Sequence, residues 1–348
     1  MTTATFERYG LTSNPFRDLA SESLSDIEVF HVNLPLDDTL RTIKEEVFEN
    51  ENRAFVAITG GHGAGKTERL LLAATEARQR KAFVVYYDIT AKTSWILKGV
   101  ASEFLATAKR GGLATTFSSP KWFRAVTALQ SIKDQGYDAI QAGKTLAAAL
   151  NESTPAFLLL NDLHHLTQPA EVDAFSRTLQ EVADSIRPGV LVMFGCYPSY
   201  LEAITRTRPA LASRINRTFP LPTLGNDEAA LLLAKKLLAK RIVEDLDPIY
   251  PFDRESIGLL NAHAAGNPRR LLEAADLAIA YAVEHRSYRV DAEVARAALD
   301  ASPKAAVSPS PTPSAPPTAR SAGVGGALGS AVAKRLPQAG GIAGHDGQ

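Results

Sequence analysis

Residues 54–67 read AFVAITGGHGAGKT, an apolar run that breaks into a glycine-rich turn and ends in a lysine and a threonine. Its last part, Gly60, Gly61, His62, Gly63, Ala64, Gly65, Lys66 and Thr67, fits the pattern GxxxxGK[ST]. A strand-like run precedes it and a helical run, TERLLLAATEARQ, follows. Glycines let a backbone wrap a phosphate chain without Cβ clashes, and the loop N–H groups and the helix N-terminus then face the anion. In such a loop Lys66 neutralises β/γ oxygens and the Thr67 hydroxyl ligates Mg²⁺. The expected ligand is ATP with Mg²⁺, although no base-reading motif separates ATP from GTP. The alternative is a merely glycine-rich turn.

Outward from this loop, short apolar runs alternate with helical patterns: Ala54–Thr59, Ala82–Asp88, Ala156–Asp162, Gly189–Gly195 and Ile215–Leu221. Runs of this kind, joined by helical stretches, predict buried parallel strands in an α/β sheet with helices on both faces. Residues 1–35 read as an irregular lead-in with an Asn-Pro turn in Tyr9–Phe16, and a helix is expected over Leu36–Glu49. After Pro222 the strands stop, and residues 226–241, 253–265, 267–285 and 291–300 all read as helices. The expected organisation is a lead-in over 1–35, a nucleotide-binding domain over 36–222 and a small all-helical domain over 223–301. A Pro/Ala/Ser/Gly-rich tail over 302–348 reads as disordered, because it cannot bury enough apolar surface to offset its ordering entropy. Within it Ala327–Leu336 reads either as a docking segment or as plain disorder.

The chain has 348 residues, with 38 basic and 38 acidic side chains and a formal net charge of zero. Such a balance supplies no global field for nucleic acid or an acidic membrane, though a local basic face is compatible with it. A single cysteine, Cys196, excludes an intrachain disulfide. No stretch approaches the length of a membrane span, and the start, MTTATFERYG, lacks a secretory pattern, so a cytoplasmic protein without membrane contact is expected.

A phosphate-loop site needs an acid on a neighbouring strand end. The candidate is Leu158-Leu159-Leu160-Asn161-Asp162, where Asn161 and Asp162 stand in place of the usual Asp-Glu. Either Asn161 holds the metal position and Asp162 the attacking water, or the register slips and Asp162 is the metal partner. Weak hydrolysis to ADP and phosphate is expected in both cases; in the first, Asn161→Asp would raise it. His164 and His165 suit no usual metal spacing and read as loop residues.

The quoted motifs, together with YGLTSNPF (9–16), MFGCYPSYLEA (193–203), LASRINRTFPLPTL (211–224) and AAGNPRRLLEAADLAIAYA (264–282), resemble the AAA+ ATPases. Within these the chain resembles the branch of ExeA-type secretion and TniB/TnsC-type transposition ATPases, akin to replication initiators, over about residues 5–300. The resemblance implies an α/β AAA+ phosphate-loop fold with a helical lid. It implies that Arg214 is a finger reaching into a neighbouring subunit's ATP, with Arg217 as a fallback, and that Arg269 is a sensor on the lid contacting the γ-phosphate. The alternatives are a surface arginine for Arg214 and a salt-bridged lid residue for Arg269. The first sensor position, usually a polar amide or hydroxyl, is occupied by Gly195-Cys196-Tyr197.

The expected function is therefore an ATP-dependent switch. It would form ring or filament homo-oligomers and organise a DNA-associated complex with an unidentified protein partner. The alternative is an assembly scaffold for a large apparatus without nucleic acid. Lys109-Arg110-Gly111-Gly112 and the stretch Ser118–Val126 set basic residues beside Trp122 and Phe123. They read either as a nucleic-acid surface or as a helix with Trp122 in the core and Lys121 and Arg124 in water.

Overall fold

The computed structural model of the chain describes residues 6–17, 29–90, 96–110, 120–135 and 138–302. The expected tail from 303 onward with its Ala327–Leu336 patch, and Gly111-Gly112, lie outside the described residues.

All five expected strands form: β1 Ala54–Thr59, β2 Phe83–Asp88, β3 Ala156–Asn161, β4 Val190–Cys196 and β5 Arg217–Pro220. They make one parallel sheet in the order β2-β3-β4-β1-β5. β1, β3 and β4 are buried along their whole length, as a sheet covered on both faces requires. One face packs on helices α1 (Pro35–Phe48) and α2 (Lys66–Gln79), through Val47, Leu70 and Ala74 against Ile58, Phe157 and Met193. The other packs on α3 (Ile96–Arg110), α4 (Pro120–Gln135), α5 (Ala139–Asn151) and α6 (Pro169–Ser185). Removing a side chain such as Phe157 or Phe194 from water contributes about 1.5–3 kcal/mol.

The long connection between β2 and β3 thus supplies three helices of the covering layer. Trp122 is buried in it and donates from Nε1 to Ser153 Oγ at 3.2 Å, while Lys121, Phe123 and Arg124 are exposed. The indole therefore belongs to the core, and only its neighbours face water.

After β4 come α7 (Pro198–Thr207), a short turn of helix α8 (Pro209–Ala212) and β5. The remaining helices form the small domain: α9 (Asn226–Leu238), α10 (Arg254–His263), α11 (Pro268–Glu284) and α12 (Ala292–Ala301). Their starts are fixed locally. Asp253 caps α10, Asn267 caps α11 with Pro268 in its first turn, and Asp291 caps α12.

Residues 6–17 pack against this domain. Phe6, Tyr9, Leu11 and Phe16 share its core with Leu233, Phe252 and Ile279. Tyr9 Oη donates to Ser287 O at 2.6 Å, and Arg8 donates to the last carbonyls of α11, Ala282 and Val283, at 3.2 and 2.9 Å. The Asn14-Pro15 turn is closed by Phe16 N donating to Asn14 Oδ1 at 2.9 Å.

A charged cluster ties the next segment to the sheet side. His31 Nδ1 lies 2.8 Å from Glu68 Oε1 on α2, and its Nε2 lies 3.4 Å from Asp37 Oδ2 on α1. Arg69, 5 % exposed, donates from Nη2 to the same Asp37 at 3.2 Å. Lys235 of α9 donates to His31 O. Burial works against a charged His31, but Asp37 and Glu68 outweigh it and hold its pKa above the ordinary 6.5. Burial likewise works against a charged Asp37, but His31 and Arg69 hold it below the ordinary 3.8. The His31 contribution is complete below pH 6.5 and is lost as pH rises through its raised value. That of Asp37 is complete above 3.8 and is lost as pH falls through its lowered value. The stability lost in His31→Gln, followed by urea unfolding, is expected to be largest between pH 3.8 and 6.5 and to shrink at higher pH. A loss that does not vary with pH would show that the ring carries no charge in this cluster.

Candidate functional site

The glycine-rich turn leaves β1 at the carboxyl end of the sheet, where parallel α/β sheets bind ligands. Gly63 and Gly65 have φ of 74° and 96°, a left-handed backbone that suits glycine, and Gly65 is the N-cap of α2. The loop lines a cavity of about 380 Å³ between the sheet end and the helical domain, together with α2, α9 and α11. Lys66 is 5 % exposed and donates to Gly60 O at 3.0 Å and Gly61 O at 2.9 Å. Burial lowers its pKa. Its Nζ also sits 4.9 Å from the centroid of the Tyr197 ring.

Thr67 Oγ1 donates to Asn161 Oδ1 at 3.1 Å. Asn161, the last residue of β3 and 2 % exposed, donates from Nδ2 to Asp88 Oδ1 at 2.8 Å and to Asp162 Oδ2 at 3.3 Å. Of the two registers open in the sequence, this geometry brings Asn161 next to Thr67 and sets Asp162 one step further, lining the cavity. Asp162 has a φ of 54°, a left-handed conformation that aspartate tolerates better than most residues. Burial raises its carboxyl pKa, Lys66 opposes that shift, and Asp88 adds to it.

Both His164 and His165 line the same cavity. The His164 ring lies 3.8 Å from the Tyr197 ring, centroid to centroid. Burial, aided by the nearby His165, Lys66 and His62, pushes its pKa down to about 3, so the ring is neutral near pH 7. His62 also lines the cavity and is lowered, by burial and then by Arg269 and Lys66. Cys196 is fully buried in the core, its thiol pushed up to about 12 by that burial, and it is absent from the cavity lining. The residue of that triplet that faces the cavity is Tyr197.

Across the cavity, α11 begins against the phosphate loop. Asn267 Nδ2 donates to His62 O at 2.8 Å, and a Cβ on Gly63 would lie 2.5 Å from Arg269 Cβ. Arg269 lines the cavity and donates from Nε to Glu273 at 3.4 Å, whereas the exposed Arg270 is absent from the lining. Arg214 is also absent from it; this exposed residue pairs with Asp184 of α6 and donates to Ser213 Oγ at 2.9 Å. Arg217 is exposed at the start of β5. The apolar part of the cavity comes from Phe30, Leu71, Leu232, Pro268 and Leu272. Sequence reasoning missed this wall, because its parts are scattered over three helices and the N-terminal segment. It also missed Asp88, although a carboxylate ending an apolar strand was a visible signal.

No protein-family model matches this chain. An uncharacterised HTH-type transcriptional regulator of Methanocaldococcus jannaschii is 23% identical over 111 residues, 32% of this chain and 27% of that protein. The match thus spans little more than a quarter of that relative. Among solved structures, the Aeropyrum pernix ORC2 protein in ADPNP–ADP complexes matches at 14% identity and a TM-score of 0.50, over 78% of this chain and 70% of that one. The ORC1 protein of the same organism, in complex with DNA, matches at 18% identity and a TM-score of 0.49, over 81% and 68%. A RuvB mutant of Thermotoga maritima matches at 12% identity and 0.46, over 81% and 72%.

A methyl group at residue 63 would meet both the left-handed backbone and the start of α11. Gly63→Ala is expected to lower stability by about 1–3 kcal/mol. It should also raise hydrogen exchange in the peptide spanning 266–272. Unchanged exchange and stability would mean that the helical domain does not rest on the loop.

The strand order, the glycine loop after β1 and the helical domain beyond β5 give this chain the AAA+ fold, an arrangement similar to that of the Aeropyrum pernix ORC2 protein.

Proposed function

We propose that this chain is an ATP-binding AAA+ switch that takes ATP with Mg²⁺, assembles into a ring or filament in that state, hydrolyses ATP slowly and organises a DNA-associated complex. The observation that carries this reading is one cavity lined by the loop with Lys66 and Thr67, by Asp162 just after β3 and by Arg269 of the helical domain. In it Lys66 and the free N–H groups of the loop hold the phosphates, and Arg269 couples the lid to the γ-phosphate.

The residues present suit Mg²⁺. The Thr67 hydroxyl, Asn161 Oδ1 and the Asp162 carboxylate are hard oxygen donors gathered at the sheet end. When bound, that ion would neutralise charge on the phosphate chain. Slow turnover follows from an uncharged amide at Asn161, from Asp162 being shorter than glutamate and from a first sensor position held by Cys196 and Tyr197.

Arg214 lies outside this chain's own cavity, so its finger role requires a neighbouring subunit. DNA association is supported by the sequence resemblance to transposition and initiator ATPases and by the HTH-type regulator match. A second reading, an ATP-dependent scaffold without nucleic acid, is favoured by the zero net charge.

Light scattering after size exclusion, with and without ATP and Mg²⁺ and then with a DNA duplex, tests the proposal. Growth with ATP that captures the duplex is expected. Growth that ignores DNA moves the reading to the scaffold, and a monomer throughout removes the finger role of Arg214. Lys66→Ala is expected to abolish measurable ATP binding, since a charge-assisted bond to phosphate is worth about 1.5–3 kcal/mol, roughly 10- to 100-fold each. Unchanged ATP affinity in that variant would sink the site. Arg214→Ala should keep ATP affinity and lose hydrolysis stimulated by assembly, and retention of that stimulation would leave Arg214 a surface residue.

A further inference from the structure

Asp88 ends β2 at the protein surface, yet its carboxylate is committed inward, accepting Asn161 Nδ2 at 2.8 Å. The contact is set by strand pairing. β2 and β3 run parallel in a register that sets Asp88 beside Asn161, and Ile89 N donates to Asn161 O at 3.1 Å. Carboxylates accept only, whereas a hydroxyl both donates and accepts. The amide nitrogen of Asn161 must therefore face Asp88 and Asp162, and its oxygen is left for Thr67. Without Asp88 the main anchor of that orientation is gone, and the amide can turn its N–H groups toward Thr67 and the cation position.

We propose that Asp88 is a positioning residue of the nucleotide site. It points the Asn161 oxygen at the cation position and supplies from β2 the negative charge that Asn161 does not carry on β3. The proposal rests on the nucleotide and Mg²⁺ reading above. It gives a physical reason for asparagine at 161. An aspartate there would lie at hydrogen-bond distance from Asp88 and 3.3 Å from Asp162, and carboxylates so close cannot all ionise without cost. Asn161→Asp alone therefore does not restore an ordinary acidic site, contrary to the expectation from sequence. The carboxylate and the amide form a pair that can be exchanged but not replaced one at a time.

The test uses the full chain and three variants: Asp88→Asn, Asn161→Asp and the double exchange. Calorimetric titration with a non-hydrolysable ATP analogue in EDTA and again in Mg²⁺ gives the enhancement of affinity by the cation. Affinity in EDTA is the reference from which the enhancement is taken for each protein. Each single variant should lose about tenfold or more of the Mg²⁺ enhancement, the usual effect of removing a partner that orients a metal ligand. The double exchange should recover it, and the electron paramagnetic resonance of Mn²⁺ with the analogue should follow the same order. An Asp88→Asn variant with the full enhancement, or a double exchange no better than the single variants, would overturn the proposal. A parent chain that binds no analogue in either buffer would instead overturn the nucleotide reading, and the proposal with it.

Discussion

The site is organised by the contact between the bare backbone at Gly63 and the first turn of α11. No side chain fits between them, since a Cβ there would lie 2.5 Å from Arg269 Cβ. The glycine allows the loop to curl and also lets the helical domain approach it, where Asn267 reaches His62 O. The side chains of Asn267 and Arg269 thus rest directly on the loop backbone. In the proposed switch this joint converts phosphate binding into a movement of the helical domain, with Arg269 as the reporting side chain.

Charge in the cavity is arranged around one buried ammonium. Lys66 has lost most of its water, which destabilises its charged form, and its loop carbonyls and the Tyr197 ring compensate in part. Asp162 and Asp88 carry the opposing charge, separated by the Asn161 amide. The amide donates to both carboxylates and spares the strand ends a third negative charge. His164 is kept neutral chiefly by its burial, aided by the same positive surroundings, so near pH 7 it offers polarity without charge.

The helical domain is completed from outside its own stretch of chain. Phe6, Tyr9, Leu11 and Phe16 fill its core, and Phe30 adds to the cavity wall, where the Lys236 ammonium lies 3.9 Å from its ring centroid. His31 then fastens the segment to α1 and α2. The N-terminal residues thus span the joint between the two parts of the molecule, so the movement proposed for the lid would also load the His31 cluster.

Local pattern alone determined the strands, the glycine loop and the helices of the small domain. The apolar runs around Phe55, Phe157 and Phe194 predicted the parallel strands, and the glycine spacing before Lys66-Thr67 predicted the loop and the helix after it. Asn267-Pro268 marked the start of α11, because a cap and a fixed φ act within one turn. Tertiary structure decided which residues meet. Strand register, which acts between chain segments far apart in sequence, set Asp88 beside Asn161 and Asn161 rather than Asp162 beside Thr67. Side-chain direction at the end of β4 turned Cys196 into the core and left Tyr197 facing the cavity. Apolar burial gathered residues 6–17 onto helices more than 200 positions away. Hydrophobic association is non-directional and is read from no local spacing, so this pairing lay beyond the sequence pattern.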